Sequence, residues 1–91
     1  MIAHLVTVDS EQRLGETLLM LGRHLGKPDL RSRRIAVRIS HEELSQMVGT
    51  TRPRITEFMN RFRTHKLIAV TAEHVLIVKE KKLRTYLESL S

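Results

Sequence analysis

Apolar positions recur with a helical period in four stretches of this chain and alternate in others, so a coarse fold can be read from spacing. Leu14, Leu18, Leu21 and Leu25 fall at i, i+4, i+7 and i+11, a narrow seam that predicts an amphipathic helix with one buried stripe. Leu19 and Met20 sit off that seam, which calls for a wider buried face or a second apolar contact. Asp9 with Gln12 offers a capping box, so this helix is expected to begin at Asp9 or Ser10. Gly26 followed by Pro28 ends it, because the glycine can turn left-handed and the proline cannot continue the hydrogen-bond ladder. Ahead of it, Met1–Val8 is apolar without a start signal. Ile2, Leu5 and Val6 have helical spacing there, whereas Ile2, His4, Val6 and Val8 alternate as in a strand. We read the segment as the tail of a helix. Its exposed apolar surface would be covered either by a second copy or by packing on its own domain.

The central stretch, Ser40 to Arg63, reads helix, short turn, helix. Ser40 and Glu43 form a capping box that fixes the first start, and Leu44, Met47 and Val48 make a buried stripe. Gly49 ends that helix, Thr50 and Thr51 fill the turn, and Thr51 is the N-cap of the next helix. Ile55, Phe58, Met59 and Phe62 then give the strongest amphipathic signature in the chain. Opposite them stand Pro53, Thr56, Glu57 and Asn60, flanked by Arg54 and Arg61, with Arg52 at the tip. One side of this helix is core and the other is a polar reading surface. Ser45 is small where two such helices approach most closely, and Ile55 is a β-branched plug between them. The pattern suits a helix-turn-helix, whose first helix crosses a DNA backbone while the second enters the major groove. It also matches a plain helical hairpin.

Around this centre, Lys27–Arg33 reads as a polar loop and Arg34–Ile39 as a half-buried strand with Ile35, Val37 and Ile39 inward. Leu67–Val70 and Val75–Val78, separated by Thr71–His74, read as a β-hairpin directly behind the second helix, the position of a wing. Its tip holds Glu73 where a lysine would favour phosphate, so it is expected to add little affinity. Leu83, Tyr86, Leu87 and Leu90 close the chain with an amphipathic helix over Glu80–Leu90. The expected fold class is mainly α with a small β-hairpin wing (α+β), a winged helix-turn-helix. Its domain would run from residue 10 to 91 behind an N-terminal stub of residues 1–9.

Composition sharpens this. The chain has 91 residues, enough for one modest core, and three aromatic residues, so that core is aliphatic. A formal charge of +6 suits a nucleic-acid or anionic-surface binder, or a domain whose charge serves solubility alone. There is no cysteine, which removes disulfides, thiolate nucleophiles and cysteine-held clusters. No apolar run reaches the length of a membrane span, and no secretion signal is recognisable. The five histidines, His4, His24, His41, His65 and His74, lack metal-ligand spacing and read as ordinary surface residues. With no phosphate loop, nucleophile elbow or carboxylate pair either, we expect no enzyme, no cofactor and no metal site.

In this order of elements, the strand-to-helix entry ISHEEL, the core SQMVGTTR and the following RITEFMNRFRTHKLI resemble the C-terminal DNA-binding domain of the Crp/Fnr family of bacterial transcription regulators, most of all its cyclic-nucleotide-binding branch. The resemblance covers about Ser10 to Val78. It implies sequence-specific binding of double-stranded DNA in the cytoplasm, at the nucleoid, by a homodimer with RNA polymerase as a further partner. Members normally carry an N-terminal β-barrel effector domain and a long dimerisation helix, of which Met1–Val8 looks like the stub. Arg52 matches the arginine that contacts a guanine edge in relatives. The next position is usually acidic in the best-known members and is Pro53 here, and a later arginine of the pattern is Glu57, so a different operator is expected. Arg52, Arg54, Thr56, Glu57 and Asn60 are the expected base readers. Ser40, Thr51, Arg61, Arg63, Lys66, Arg34 and Arg38 are the expected phosphate holders. The alternative is a winged helix whose polar face docks a protein without DNA specificity.

Overall fold

A computed structural model describes residues 2–29, 32–35, 38–72 and 75–90, for 2–9, 27–29 and 32–34 as backbone alone. The elements in chain order are α1 (Ile2–Leu25), β1 (Lys27–Asp29), β2 (Ser32–Ile35), α2 (His41–Val48), α3 (Arg52–Thr64), β3 (Ile68–Val70), β4 (Leu76–Val78) and α4 (Glu80–Leu90). This is the expected winged helix-turn-helix, with one helix before the motif and one after the wing.

The motif is held by local chemistry. At the start of α2, the Ser40 hydroxyl oxygen accepts from the Glu43 N–H at 3.0 Å and the Ser40 N–H donates to Glu43 Oε1 at 2.9 Å, a complete capping box. Gly49 closes α2 in the left-handed region with φ +84°, and the Ser45 carbonyl accepts from both Gly49 and Thr50 at 2.8 and 3.1 Å. Thr51 caps α3 in extended geometry. At the far end of α3, Lys66 stands at φ +59°. Its N–H donates to the Arg63 carbonyl and the Leu67 N–H to that of Phe62, a Schellman closure with Phe62 and Leu67 buried together.

Leu14, Leu18, Ile35, Leu44, Val48, Ile55, Phe58, Phe62, Val78 and Leu83 are the most deeply buried side chains and form one core shared by all four helices and the sheet. Removing these side chains from water supplies roughly 1.5–3 kcal/mol each before the entropy of ordering is set against it. α1 and α4 approach so closely at Gly15 that an added Cβ there would lie 2.5 Å from Leu87 Cδ2.

Several expectations need correction. α1 runs unbroken through Asp9 and Ser10, so neither begins a helix and the strand reading of Ile2–Val8 falls. A capping sequence marks a start only where the chain before it is not helical, and Ser10 is buried on the helix flank. Met47 is 49% exposed and Leu25 and Met20 are each 45% exposed. In α2 the buried arc is centred between Leu44 and Ser45, because the small serine admits α3, and Met47 lies about 110° away from that centre. Leu25 is the last residue of α1, beyond the end of the core.

The sheet is larger than a wing. Its order is β1-β2-β4-β3, antiparallel throughout, so β4 pairs with β2 (Arg34 opposite Ile77) as well as with β3 (Ala69 opposite Ile77). β1 falls where a loop was expected. It is an edge strand, where a sheet tolerates Pro28. The strand expected over Arg34–Ile39 begins earlier, at Ser32, and ends at Ile35, while Val37 lies outside the described residues. Thr71 closes the β3–β4 turn, its N–H donating to the Val75 carbonyl at 3.0 Å and its hydroxyl accepting from the Val75 N–H at 3.1 Å. Glu73 and His74, at the wing tip, lie outside the described residues.

Candidate nucleic-acid interface

α3 presents two faces as its periodicity requires. Ile55, Phe58, Met59 and Phe62 are buried, while Arg52, Pro53, Glu57, Asn60 and Arg63 are exposed and Thr56 is half-buried. Arg52 and Arg54 occupy the first turn with no acidic residue beside them. Cations at a helix N-terminus oppose the helix dipole by about 0.3–1 kcal/mol each, a cost that an approaching polyanion reverses. Arg54 is not fully extended into solvent: its guanidinium carbon lies 5.6 Å from the Phe58 ring centroid, a cation–π contact that half-buries it. Glu57 lies 3.7 Å from Arg61 and stays 67% exposed, so that surface pair constrains it little.

Among the expected phosphate holders, Ser40, Thr51, Arg63, Lys66 and Arg38 are exposed. Ser40 and Thr51 spend acceptor capacity on their caps and retain a hydroxyl hydrogen to donate. Arg34 belongs to β2, and its side chain lies outside the described residues.

Arg61 is differently placed. Its Nη1 donates at 2.8 Å to Oε1 of Glu11, a carboxylate on α1 that is only 5% exposed, and the Tyr86 hydroxyl donates to Glu11 Oε2 at 2.6 Å. The network fastens α3 to α1 and α4, and Arg61 is a structural clamp before it is a phosphate holder. Burial first, then the hydrogen bond and charge of Glu11, push the Tyr86 hydroxyl up to about 12, against the opposing pull of Arg61. The sequence did hold a signal: Glu11 shares a helix face with Leu14 and Leu18, a charge on an apolar stripe.

His41 is the second residue not anticipated. It is the first residue of α2, half-buried, and its Nδ1 lies 2.8 Å from Thr56 Oγ1 in the middle of the reading face. It borders an open cleft of about 390 Å³ with Arg38, Ile39, Leu44, Met59, Val70 and Leu76. Burial first and the charge of Arg52 second hold its imidazole below the usual histidine range. Among the described residues, no group of three histidines or carboxylates could hold a metal, and no helix is long and apolar enough to cross a membrane.

Residues 12–86 match the Crp-like helix-turn-helix domain. The chain belongs to that family. With it comes the broad class, a DNA-binding domain of transcription-regulator type. The Crp-like chain is 31% identical over 77 residues to the global nitrogen regulator of Synechococcus elongatus, and this match spans 85% of the chain but 35% of the relative. The global nitrogen regulator of Synechocystis is 30% identical, with 34% of it spanned. The chain therefore covers about a third of the length of these relatives. Among solved structures, the CO-dependent transcription factor CooA from Carboxydothermus hydrogenoformans superposes with a TM-score of 0.76 at 25% identity, over 94% of this chain and 40% of that one. Thermus thermophilus catabolite activator protein superposes at 0.71 with 20% identity, over 99% and 39% of the two chains, a likeness of fold alone.

Proposed function

We propose that the chain binds double-stranded DNA sequence-specifically, with α3 in the major groove. In this reading Arg52, Arg54, Thr56, Glu57 and Asn60 face base edges, and Ser40, Thr51, Arg63, Lys66 and Arg38 face phosphates. The observation that carries the reading is the exposed polar face of α3, headed by two arginines with no acid in the turn and backed by a fully buried apolar face. Arg34 and Arg61 are weaker members of the phosphate set, Arg61 because Glu11 already holds it. Two neighbours in sequence are nitrogen regulators and one in structure is a transcription factor, and control of transcription is inferred here too. That role places the chain in the cytoplasm beside the nucleoid, acting as a homodimer with RNA polymerase as a further partner.

Selection of bound duplexes from a random pool, repeated over a range of salt, tests the reading. One enriched motif and affinity falling steeply with salt are expected. Binding that ignores sequence and salt would instead support a protein-docking winged helix. Arg52→Ala should cost about 1–3 kcal/mol at one base position, whereas Arg63→Ala should weaken every duplex alike and lower the salt slope by about 1.

A further inference from the structure

We propose that His41 is a specificity-setting positioning residue, which decides through its contact with Thr56 whether the Thr56 hydroxyl offers DNA an acceptor alone or a donor as well. The inference rests on the proposed DNA reading and concerns one position of it. His41 stands at the start of the helix that crosses the backbone, yet its Nδ1 lies 2.8 Å from Thr56 Oγ1, fifteen residues away on the reading face. Among the described residues Nε2 has no hydrogen-bond partner, and no buried side-chain nitrogen or oxygen is left unpaired, so Nε2 is open to water.

The chemistry follows from the inventory of the two groups. A neutral ring with its proton on Nε2 accepts at Nδ1, so the Thr56 hydroxyl hydrogen points into the protein and only oxygen lone pairs face outward. Protonation puts a hydrogen on Nδ1, which donates to Thr56 Oγ1 and frees the hydroxyl hydrogen to point away. In the major groove adenine and cytosine offer amino donors, whereas guanine O6 and thymine O4 are acceptors. The neutral ring thus favours an amino base opposite Thr56, whereas the charged ring occupies one lone pair, leaves the other beside the freed hydrogen, and admits amino and keto bases alike.

The surroundings set when the exchange occurs. Burial first and the charge of Arg52 from α3 second disfavour the imidazolium of His41, and Arg38 from the segment before α2 lines the same cleft. On α2 itself Glu42 is exposed and Glu43 is turned to Ser40, while Leu44, Met59, Val70 and Leu76 bring no charge. The free chain therefore holds the ring neutral at neutral pH. Bound phosphates favour the imidazolium, so the exchange on DNA falls at a higher pH than in the free chain, and binding takes up a proton there.

The test is duplex selection with the full chain at about pH 5.5 and about pH 8, on either side of the imidazole range. One position of the motif should prefer an amino base by about threefold to tenfold at the higher pH, the range of one hydrogen bond, and lose that preference on acidification. Thr56→Val should abolish discrimination at that position, and His41→Ala should leave it tolerant of both classes at both pH values. Thermal melts confirm that each variant is folded, and two-bond ¹⁵N–¹H spectra of the imidazole should show an unprotonated Nδ1 at neutral pH. An unchanged base preference in the native chain, a shift that survives His41→Ala, or a neutral ring protonated at Nδ1 would each overturn the proposal. Failure to select any motif at either pH would instead overturn the DNA reading beneath it.

Discussion

Lys66 combines a side chain and a backbone with opposite preferences. The ammonium lies exposed just past the end of α3, where it suits a phosphate, while the backbone at φ +59° is strained for any residue with a Cβ. Lys66→Gly should therefore raise thermal stability by up to about 1 kcal/mol while lowering affinity for all duplexes alike. Lys66→Ala should lower affinity equally without the gain in melting temperature. Thermal melts and salt-dependent binding on the two variants separate strain from charge. At this scale the sequence was legible around the motif, where both partners are near: the Ser40–Glu43 box, the Gly49 turn and the Thr51 cap all stand as read, whereas the Asp9–Gln12 box falls inside α1. Where partners are far apart it marked a buried charge without naming what meets it. Glu11 meets Arg61 and Tyr86 across fifty and seventy-five residues, and no local pattern announces such a pairing.

Among elements, α3 is the best supported. α2 packs on it through Leu44, Ser45 and Val48, and α1 and α4 reach it through Glu11 and Tyr86. Tyr86 also sets its ring edge-on to Phe62 at 5.8 Å. Tyr86→Phe keeps that ring contact and removes the donor to a buried carboxylate, so it should cost about 1.5–3 kcal/mol of stability, the range for hydrogen bonds to charged groups. Denaturant unfolding measures the loss. DNA specificity at saturating protein should be unchanged, because Tyr86 lies behind the reading face. The helices and the β3–β4 hairpin were legible because their apolar patterns are strong; the extension of the sheet through β2 to β1 was not. β1 is three residues of mixed polarity containing a proline, and only its pairing with β2, Lys27 opposite Arg34, makes it a strand.

For the whole molecule, one core ties the sheet, the motif and the flanking helices together, so the reading helix and the wing are expected to move as one body. A palindrome is read by two such bodies about one helical turn apart. This chain should then bind an isolated half-site weakly and a full palindrome more tightly only if two copies associate. Sedimentation at micromolar concentration, with and without duplex, checks this: a monomer that pairs on DNA is expected, and a tight dimer without DNA would assign α1 a larger role in association than its exposed Met20 and Leu25 suggest. The fold class was legible at this scale because helix, turn, helix and hairpin follow one another without interruption. The operator was not, because Pro53 and Glu57 depart from the resemblance at the positions that would define it.

At Gly15 the backbone of α1 is itself the contact surface for Leu87. The two positions are therefore one evolutionary unit. Homologous chains that carry alanine or anything larger at the first should carry a side chain smaller than leucine at the second, and the pair should covary even where the reading face has diverged.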